Sequence, residues 1–291
     1  MKITDKVALS ILSCLLGLFL IVGSVCGILS VTVCNSDFML KVFNSRVDYS
    51  SIYAEYCEEQ EYLAIPAGVG EGVLSSVVQQ PEFESIINLM VEKAYADDGV
   101  SLVTEFDSLC LTERFYQAMY QYFSVEKGYD ITEEMSNDMY YVAGIANDNC
   151  FALVKVLPDN LLDQFGNLAT ELSRYFKIAV IVSLAVVIAL ITLLSITKKW
   201  RSHCVLCIGM ALLMDGIMLI PIPFYVLMSG KYKYLNIEVE AFYNTAVGLI
   251  DKTMVFFLVV GIVLIIAALV IAFLLLILPI IREKRNTKTE A

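Results

Sequence analysis

Four apolar runs and one long mixed stretch set out the chain. Val7 to Val33 carries no charge over 27 residues, and Ile178 to Thr197 carries none over 20. Cys204 to Ser229 holds a single carboxylate, Asp215, and Thr253 to Ile281 holds no charge at all. At about 1.5 Å of rise per residue, each run is long enough as a helix to cross a hydrocarbon core about 30 Å thick. The pattern predicts four transmembrane helices. Pro221 and Pro223 fall within the third and predict a bend there.

The mixed stretch, Cys34 to Lys177, reads as helical. Val47, Ile52, Tyr53 and Tyr56 share a face ahead of the break at Ile65-Pro66-Ala67-Gly68. Pro81 opens a helix with Glu82 and Glu84 in its first turn, where acidic side chains suit the helix dipole. Phe115, Met119, Tyr122 and Phe123 recur at helical spacing. Asp130 with Glu133 resembles a capping box for a helix carrying Met139, Val142 and Ile145. No segment alternates with period two over strand length, so five or six helices and little or no sheet are expected. A helix opened by Pro158-Asp159 meets no further proline before Thr197 and is expected to run unbroken into the second span. The stripe Val239, Phe242, Ala246, Leu249 and Ile250 leads the same way into the fourth.

Composition agrees with the membrane reading. The chain is 58% hydrophobic with a mean hydropathy of +0.71, against about 45–50% apolar residues in a soluble domain. Charge then gives it a direction. Lys198, Lys199 and Arg201, with Trp200 at the boundary, close the second run, and Arg282, Lys284 and Arg285 close the fourth. Positive charge beside a span marks the cytoplasmic side. The stretch from 34 to 177 holds 24 Asp/Glu against 8 Lys/Arg, a balance of −16. Such a surface repels phosphates, so nucleic acid is excluded as a partner, and it draws cations or a basic partner instead.

The expected layout is an all-α protein with a helical extracytoplasmic domain inserted between spans one and two. Residues 1–6 form the cytoplasmic N-terminus, 7–33 the first span, 34–177 the acidic domain and 178–197 the second span. Residues 198–203 form a cytoplasmic loop, 204–229 the third span, 230–252 an outer loop and helix, 253–281 the fourth span, and 282–291 a cytoplasmic tail. The first run is too long for a signal peptide, and Ser24-Val25-Cys26 is a poor cleavage site, so an uncleaved span is expected. Both termini are placed in the cytoplasm and the protein in the plasma (cell) membrane.

Candidate chemistry is sparse. Asp215 sits mid-span, where a carboxylate costs about 2.5–3.5 kcal/mol on insertion scales and must face other helices or water. It reads as a proton or cation site, as a contact with a partner's basic residue, or as a neutral carboxyl hydrogen-bonded to another span, with Ser183 as the expected partner. Gly23 and Gly27 form a Gly-x-x-x-Gly pair that allows close helix approach, within the chain's own bundle in preference to a dimer. Cys34, Cys57, Cys110 and Cys150 suggest two disulfides in an oxidising compartment. His203 with Cys204-Val205-Leu206-Cys207 offers three metal or redox groups at the cytoplasmic end of a span, and apolar packing is the preferred reading. Asp97-Asp98-Gly99 and Asn147-Asp148-Asn149 lack the spacing of a calcium loop and read as turns. Gly68 to Gly72 follows no strand and is no dinucleotide fingerprint. Phe115, Tyr116, Tyr120, Tyr122 and Phe123 read as core before they read as a ligand pocket. No catalytic, cofactor-binding or metal-binding motif stands out, and no cofactor is expected.

The aromatic segment Phe38 to Tyr56, the glycine-rich break at Gly68 to Gly72, Tyr175-Phe176-Lys177-Ile178 and Tyr232 to Leu235 together resemble four-span envelope proteins of Gram-positive bacteria. Asp215 departs from that pattern, where a small or apolar residue is expected, and the resemblance implies no activity. The plan is also similar to that of chemoreceptor sensor domains, without their cytoplasmic signalling domains. The leading functional expectation is a non-enzymatic extracytoplasmic binding module on a four-helix base. Its partners would be the bilayer and another membrane or envelope protein, with a second copy of the chain left open. A small transporter or channel subunit using Asp215 is the alternative, and a membrane thiol oxidoreductase using Cys204 and Cys207 the third reading.

Overall fold

The computed structural model describes residues 3–95, 102–154, 161–196, 201–237 and 240–289. Every regular element among them is helical. In chain order these are α1 (Ile3–Val31), α2 (Ser36–Arg46), α3 (Tyr49–Ala64), α4 (Gln80–Ala94), α5 (Leu102–Asp107), α6 (Leu111–Gln121) and α7 (Glu133–Val154). There follow α8 (Leu161–Ile196), α9 (Arg201–Leu219), α10 (Pro221–Ser229) and α11 (Glu240–Thr289). Short helical turns occupy Ser75–Val77, Tyr122–Glu126 and Lys231–Tyr234. The chain divides into two compact units. One comprises Met1–Asn35, Glu171–Asn236 and Leu249–Ala291, and the other Ser36–Thr170 with Ile237–Gly248. The second takes in the start of α11 as well as the stretch between the first two spans.

The first unit holds four stretches long and apolar enough to span a bilayer: Val7–Val31, Gly166–Ile196, His203–Ser229 and Tyr243–Leu275, the second and fourth extending at their start into the other unit. Their contacts fix their directions. Leu16 of α1 packs with Ala211 of α9, and further along Ile28 packs with Leu219, so α1 and α9 run parallel. Gly23 faces Ser183 and Gly27 faces Val180 of α8, which therefore runs the other way. A Cβ on Gly209 would meet Ile271, and one on Gly216 would lie 2.7 Å from the Gly261 carbonyl oxygen, so α11 is also antiparallel to α9. The start of α1, the end of α8, the start of α9 and the later part of α11 share one end of the bundle. Small residues permit this, since helix association in lipid relies on close packing more than on hydrophobic burial.

Pro221 interrupts the third span as expected. Its missing N–H suits the first turn of a new helix, and α10 begins there after Ile220. Gly230, at φ 59°, ends α10 in the left-handed conformation that glycine adopts without a Cβ clash, its N–H donating to the Val226 carbonyl. The Tyr232 hydroxyl then donates to the Asp251 carboxylate, tying this turn to α11.

The second unit has its own core, built by α3, α4, α6 and α7. Asp48 caps α3, accepting from the Ser50 and Ser51 amides at 3.1 and 3.4 Å. Tyr56, Gln60 and Ala64 then fall on one buried face. Phe83, Ile87, Met90 and Ala94 line the inner face of α4, and Tyr53, Tyr56 and Phe83 cluster with ring centroids 5.2–5.8 Å apart. Phe115 and Met119 of α6 are buried to 1% exposure or less. The stripe of α7 is turned from the expected one. Met139, Ala143, Ala146, Cys150 and Val154 are buried, while Val142 and Ile145 are only half-buried. The small side chains Ala143 and Ala146 are fully buried, and Gln60 Nε2 reaches the Ala146 carbonyl at 3.1 Å. The α7 cap is Thr132, whose Oγ1 accepts from the Met135 amide at 3.2 Å, in place of Asp130.

The glycine-rich break is a built loop. Gly72 N–H and Ser75 Oγ both donate to Glu61 Oε1 at 2.8 Å, and the ring of Tyr122 lies where a Cβ on Gly70 would be. In α8, a Cβ on Gly166 would overlap the Ala94 carbonyl, and Thr170 Oγ1 donates to the Tyr95 carbonyl at 3.3 Å. Pro158-Asp159 and Val239 lie outside the described residues, but α8 is unbroken from Leu161 to Ile196, as expected.

Gly216→Ala pushes a methyl group against backbone, which cannot swing aside. It is expected to cost about 1–3 kcal/mol, read as a lower thermal midpoint of the detergent-solubilised protein. A Cβ on Gly144 of α7 meets nothing within 4 Å. Gly144→Ala is expected to hold that midpoint or raise it, by up to about 1 kcal/mol of helix propensity.

Candidate functional site

Two places combine polar chemistry with defined geometry, one inside the helix bundle and one on the second unit. In the bundle, Asp215 of α9 is fully buried and its Oδ2 accepts from Ser24 Oγ of α1 at 2.7 Å. Ser24 is thus the partner where Ser183 was expected. Ser183 is buried against Gly23, the residue before Ser24 on the same α1 turn. The parallel run of α1 and α9 is what brings Ser24 to the level of Asp215. The second carboxyl oxygen, Oδ1, makes no hydrogen bond within the chain. A side chain with no exposed surface cannot reach a basic residue on another protein, which removes that reading of Asp215.

The cysteines do not pair. All eight are free thiols, and no two lie at disulfide distance, so the two bridges inferred from the count are not formed. Their surroundings differ too much for pairing. Cys34 belongs to the first unit, Cys57 is half-buried on α3, Cys110 is exposed in a left-handed turn (φ 52°), and Cys150 is fully buried on the inner face of α7. A disulfide requires Cα atoms within about 7 Å and converging Cβ vectors, which a count of cysteines does not supply. Burial pushes the Cys150 thiol up to about 12, so it stays protonated and unreactive. Cys204 and Cys207 are buried with Leu194, Leu9 and Leu12, and the Cys204 sulfur lies 3.6 Å from Ser195 Oγ. Among the described residues no group of three or more His, Cys, Asp or Glu could hold a metal ion. Lys198, Lys199 and Trp200 lie outside the described residues, as do Asp97-Asp98-Gly99 and the side chains of Arg201, Arg282, Lys284 and Arg285.

The second place is an open groove of about 600 Å³ along α6, bordered by the Ser75–Val77 turn and by Ser124 and Val125. The aromatic series divides here. Phe115 and Phe123 are core, while Tyr120 is exposed at the groove. Arg114 anchors one side, with Nη1 and Nη2 donating to the two Glu82 oxygens at 2.6 and 2.9 Å and Nη2 also to the Val77 carbonyl at 2.6 Å. This two-pronged contact holds the Glu82 carboxyl below its ordinary value of 4.5. Glu113 is engaged at both oxygens, by Gln117 Nε2 at 2.7 Å and by the Tyr140 hydroxyl at 3.1 Å. Tyr140 stacks on Tyr116 with centroids 3.9 Å apart, and Tyr116 shares a hydrogen bond with Ser136. Gln121, one turn on from the bonded Gln117, is exposed to solvent beside these fixed pairs.

Sequence reasoning missed Ser24, Gln117 and Gln121. Ser24 had a signal in its position beside Gly23, on the helix face that permits close approach. The glutamines had none, because exposed polar residues at helical spacing look like any solvated face.

No protein-family model, curated protein or solved structure matches the chain. The molecule itself defines its class: an all-α, multi-pass integral membrane protein with a separately cored helical unit.

Ser24→Ala strips the buried Asp215 carboxyl of its donor. It is expected to lower the thermal midpoint in detergent by the equivalent of about 0.6–1.7 kcal/mol, the span measured for interhelical hydrogen bonds in lipid. Asp215→Asn keeps an acceptor for Ser24 and is expected to leave the midpoint in place.

The Glu82–Arg114 pair makes a pH prediction. A carboxyl held below its ordinary value stabilises the fold fully above pH 4.5, and that contribution is lost as pH falls through the folded-state value. Thermal midpoints of wild type should therefore drop on acidification, with the Glu82→Gln variant showing a shallower drop over the same interval.

Proposed function

We propose that the protein is a membrane-anchored, non-enzymatic binding module whose helical unit lies outside the cytoplasm. On this reading the unit presents its α6 face to a ligand or envelope partner and acts through other membrane proteins. The observation that carries it is the groove along α6. It is open, mixes polar with apolar lining and is held by fixed side-chain pairs on a unit that keeps its own core, as a binding surface on a rigid scaffold requires. Sidedness is supported by the bundle. Its antiparallel order gathers the ends next to Lys6, Lys199 and Arg201 on one side, and basic flanks mark the cytoplasmic side. The resemblance to Gram-positive envelope proteins fits the same arrangement.

The transport reading rests on Asp215 Oδ1, which is buried and makes no hydrogen bond. Against it stands the tie of the same carboxyl to Ser24 in the centre of the packed helices.

A reporter enzyme that is active only outside the cytoplasm, fused after residue 100, tests the sidedness. A photoreactive residue at position 121 tests the binding face in native membranes. Activity of the fusion and crosslinks that persist in Asp215→Asn are expected. A fusion active only in the cytosol overturns the proposal. So does an absence of crosslinks together with a proton or ion flux that Asp215→Asn abolishes.

A further inference from the structure

We propose that a slot between α9 and α11, near the basic end of the bundle, holds one acyl chain of an anionic phospholipid. The slot follows from how the two helices cross. A Cβ on Gly216 would lie 2.7 Å from the Gly261 carbonyl oxygen, so backbone meets backbone there. Nearer the start of α9, a Cβ on Gly209 would instead meet the Ile271 side chain, at 3.2 Å. The helices therefore draw apart toward the start of α9. A cavity of about 80 Å³ opens between residues 206–213 of α9 and 268–275 of α11.

Shape and lining select the occupant. The slot follows each helix for about two turns, roughly 10 Å. So small a volume over that length makes it narrow, suited to a single chain and too thin for a helix about 10 Å across. Its lining is Leu, Gly, Met, Ala and Ile throughout, with no group to hydrogen-bond a polar ligand. Leu206, Met210 and Leu269 are each at least 50% exposed, while Ala268 is buried to 4%. The slot is thus open to the surrounding lipid and closed inward by small residues. Association with a further helix in lipid needs small residues at the point of approach. Here the large exposed side chains hold a second backbone away from Gly209 and Ala268.

Charge names the headgroup. α9 begins at Arg201, just before the slot, and α11 runs on past it through Arg282, Lys284 and Arg285, with Glu283 the one acid among them. At about 1.5 Å per residue, these positions lie roughly 8–10 Å beyond the slot toward the same end of the bundle. A phospholipid whose chain fills the slot has its phosphate at that level. Clustered cations beside spanning helices favour anionic headgroups, by about 1 kcal/mol per Lys or Arg. The site belongs to the bundle alone, so it stands or falls apart from the binding role of the second unit.

The test uses the full-length protein in nanodiscs of dioleoyl phosphatidylcholine. These are doped with phosphatidylglycerol or phosphatidylcholine carrying a photoreactive diazirine in mid-chain, and labelled peptides are located by mass spectrometry. The phosphatidylglycerol probe is expected to label residues 206–213 and 268–275 about fivefold more than the phosphatidylcholine probe, the equivalent of about 1 kcal/mol. At Ile262 and Val263, exposed on α11 outside the slot, the two probes should label alike. Ala272 lines the slot from an exposed position, so Ala272→Phe fills it without disturbing the packed helices. That variant should lose the fivefold preference, and Val263→Phe should keep it. Retained helical circular dichroism in both separates a filled slot from a lost fold. Equal labelling of the slot by the two probes overturns the proposal, as does a preference that survives Ala272→Phe. Nanodiscs that hold two chains of wild type but one of Ala272→Phe assign the slot to a second copy and overturn it as well.

Discussion

A carboxyl group enclosed by apolar helices must find its hydrogen bond inside the bundle, and Asp215 finds it at Ser24. With no water in the hydrocarbon core, that contact is worth more as a constraint than as energy. It fixes which turn of α1 faces which turn of α9. Leu16 then meets Ala211 below it and Ile28 meets Leu219 above. The preceding residue of the same α1 turn, about 100° around the helix, presents Gly23 to Ser183, so one helical turn sets two neighbours at once. The close approach of α9 and α11 at Gly216 and Gly261 follows one residue further along. Polar contact and small-residue packing thus act on adjacent residues of the same helices, and moving either shifts the other.

The spans were legible because a long apolar run needs no period or partner to be recognised. Pro221 was legible for a related reason: it acts on its own backbone, by a missing N–H. What could not be read depends on which surfaces meet. Ser183 and Ser24 are both hydroxyls in apolar helices, and only the rotation of α1 between α8 and α9 decides which one faces Asp215. The stripe of α7 shows the same limit. Val142 and Ile145 carry the stronger hydrophobic signal, yet Ala143 and Ala146 are the buried pair. The four cysteines failed as a disulfide framework since their number says nothing about distance.

The charge of the second unit also changes meaning between sequence and structure. A balance of −16 across residues 34–177 reads as a field waiting for cations. Many of the carboxylates prove to be acceptors that hold the fold together. Asp48 caps α3, Glu61 takes the Gly72 amide and the Ser75 hydroxyl, Glu82 takes Arg114, and Glu113 takes Gln117 and Tyr140. Helices of 11 to 22 residues, with few buried polar groups between them, need such ties at their ends and along loops.

That use of charge has a consequence for recognition. A carboxylate that already accepts two hydrogen bonds offers little to an approaching cation, and screening by salt reduces what is left at an exposed site. The net field can still steer encounters over a Debye length. Along α6 the charged groups are engaged by neighbours, while Tyr120 and Gln121 stay exposed.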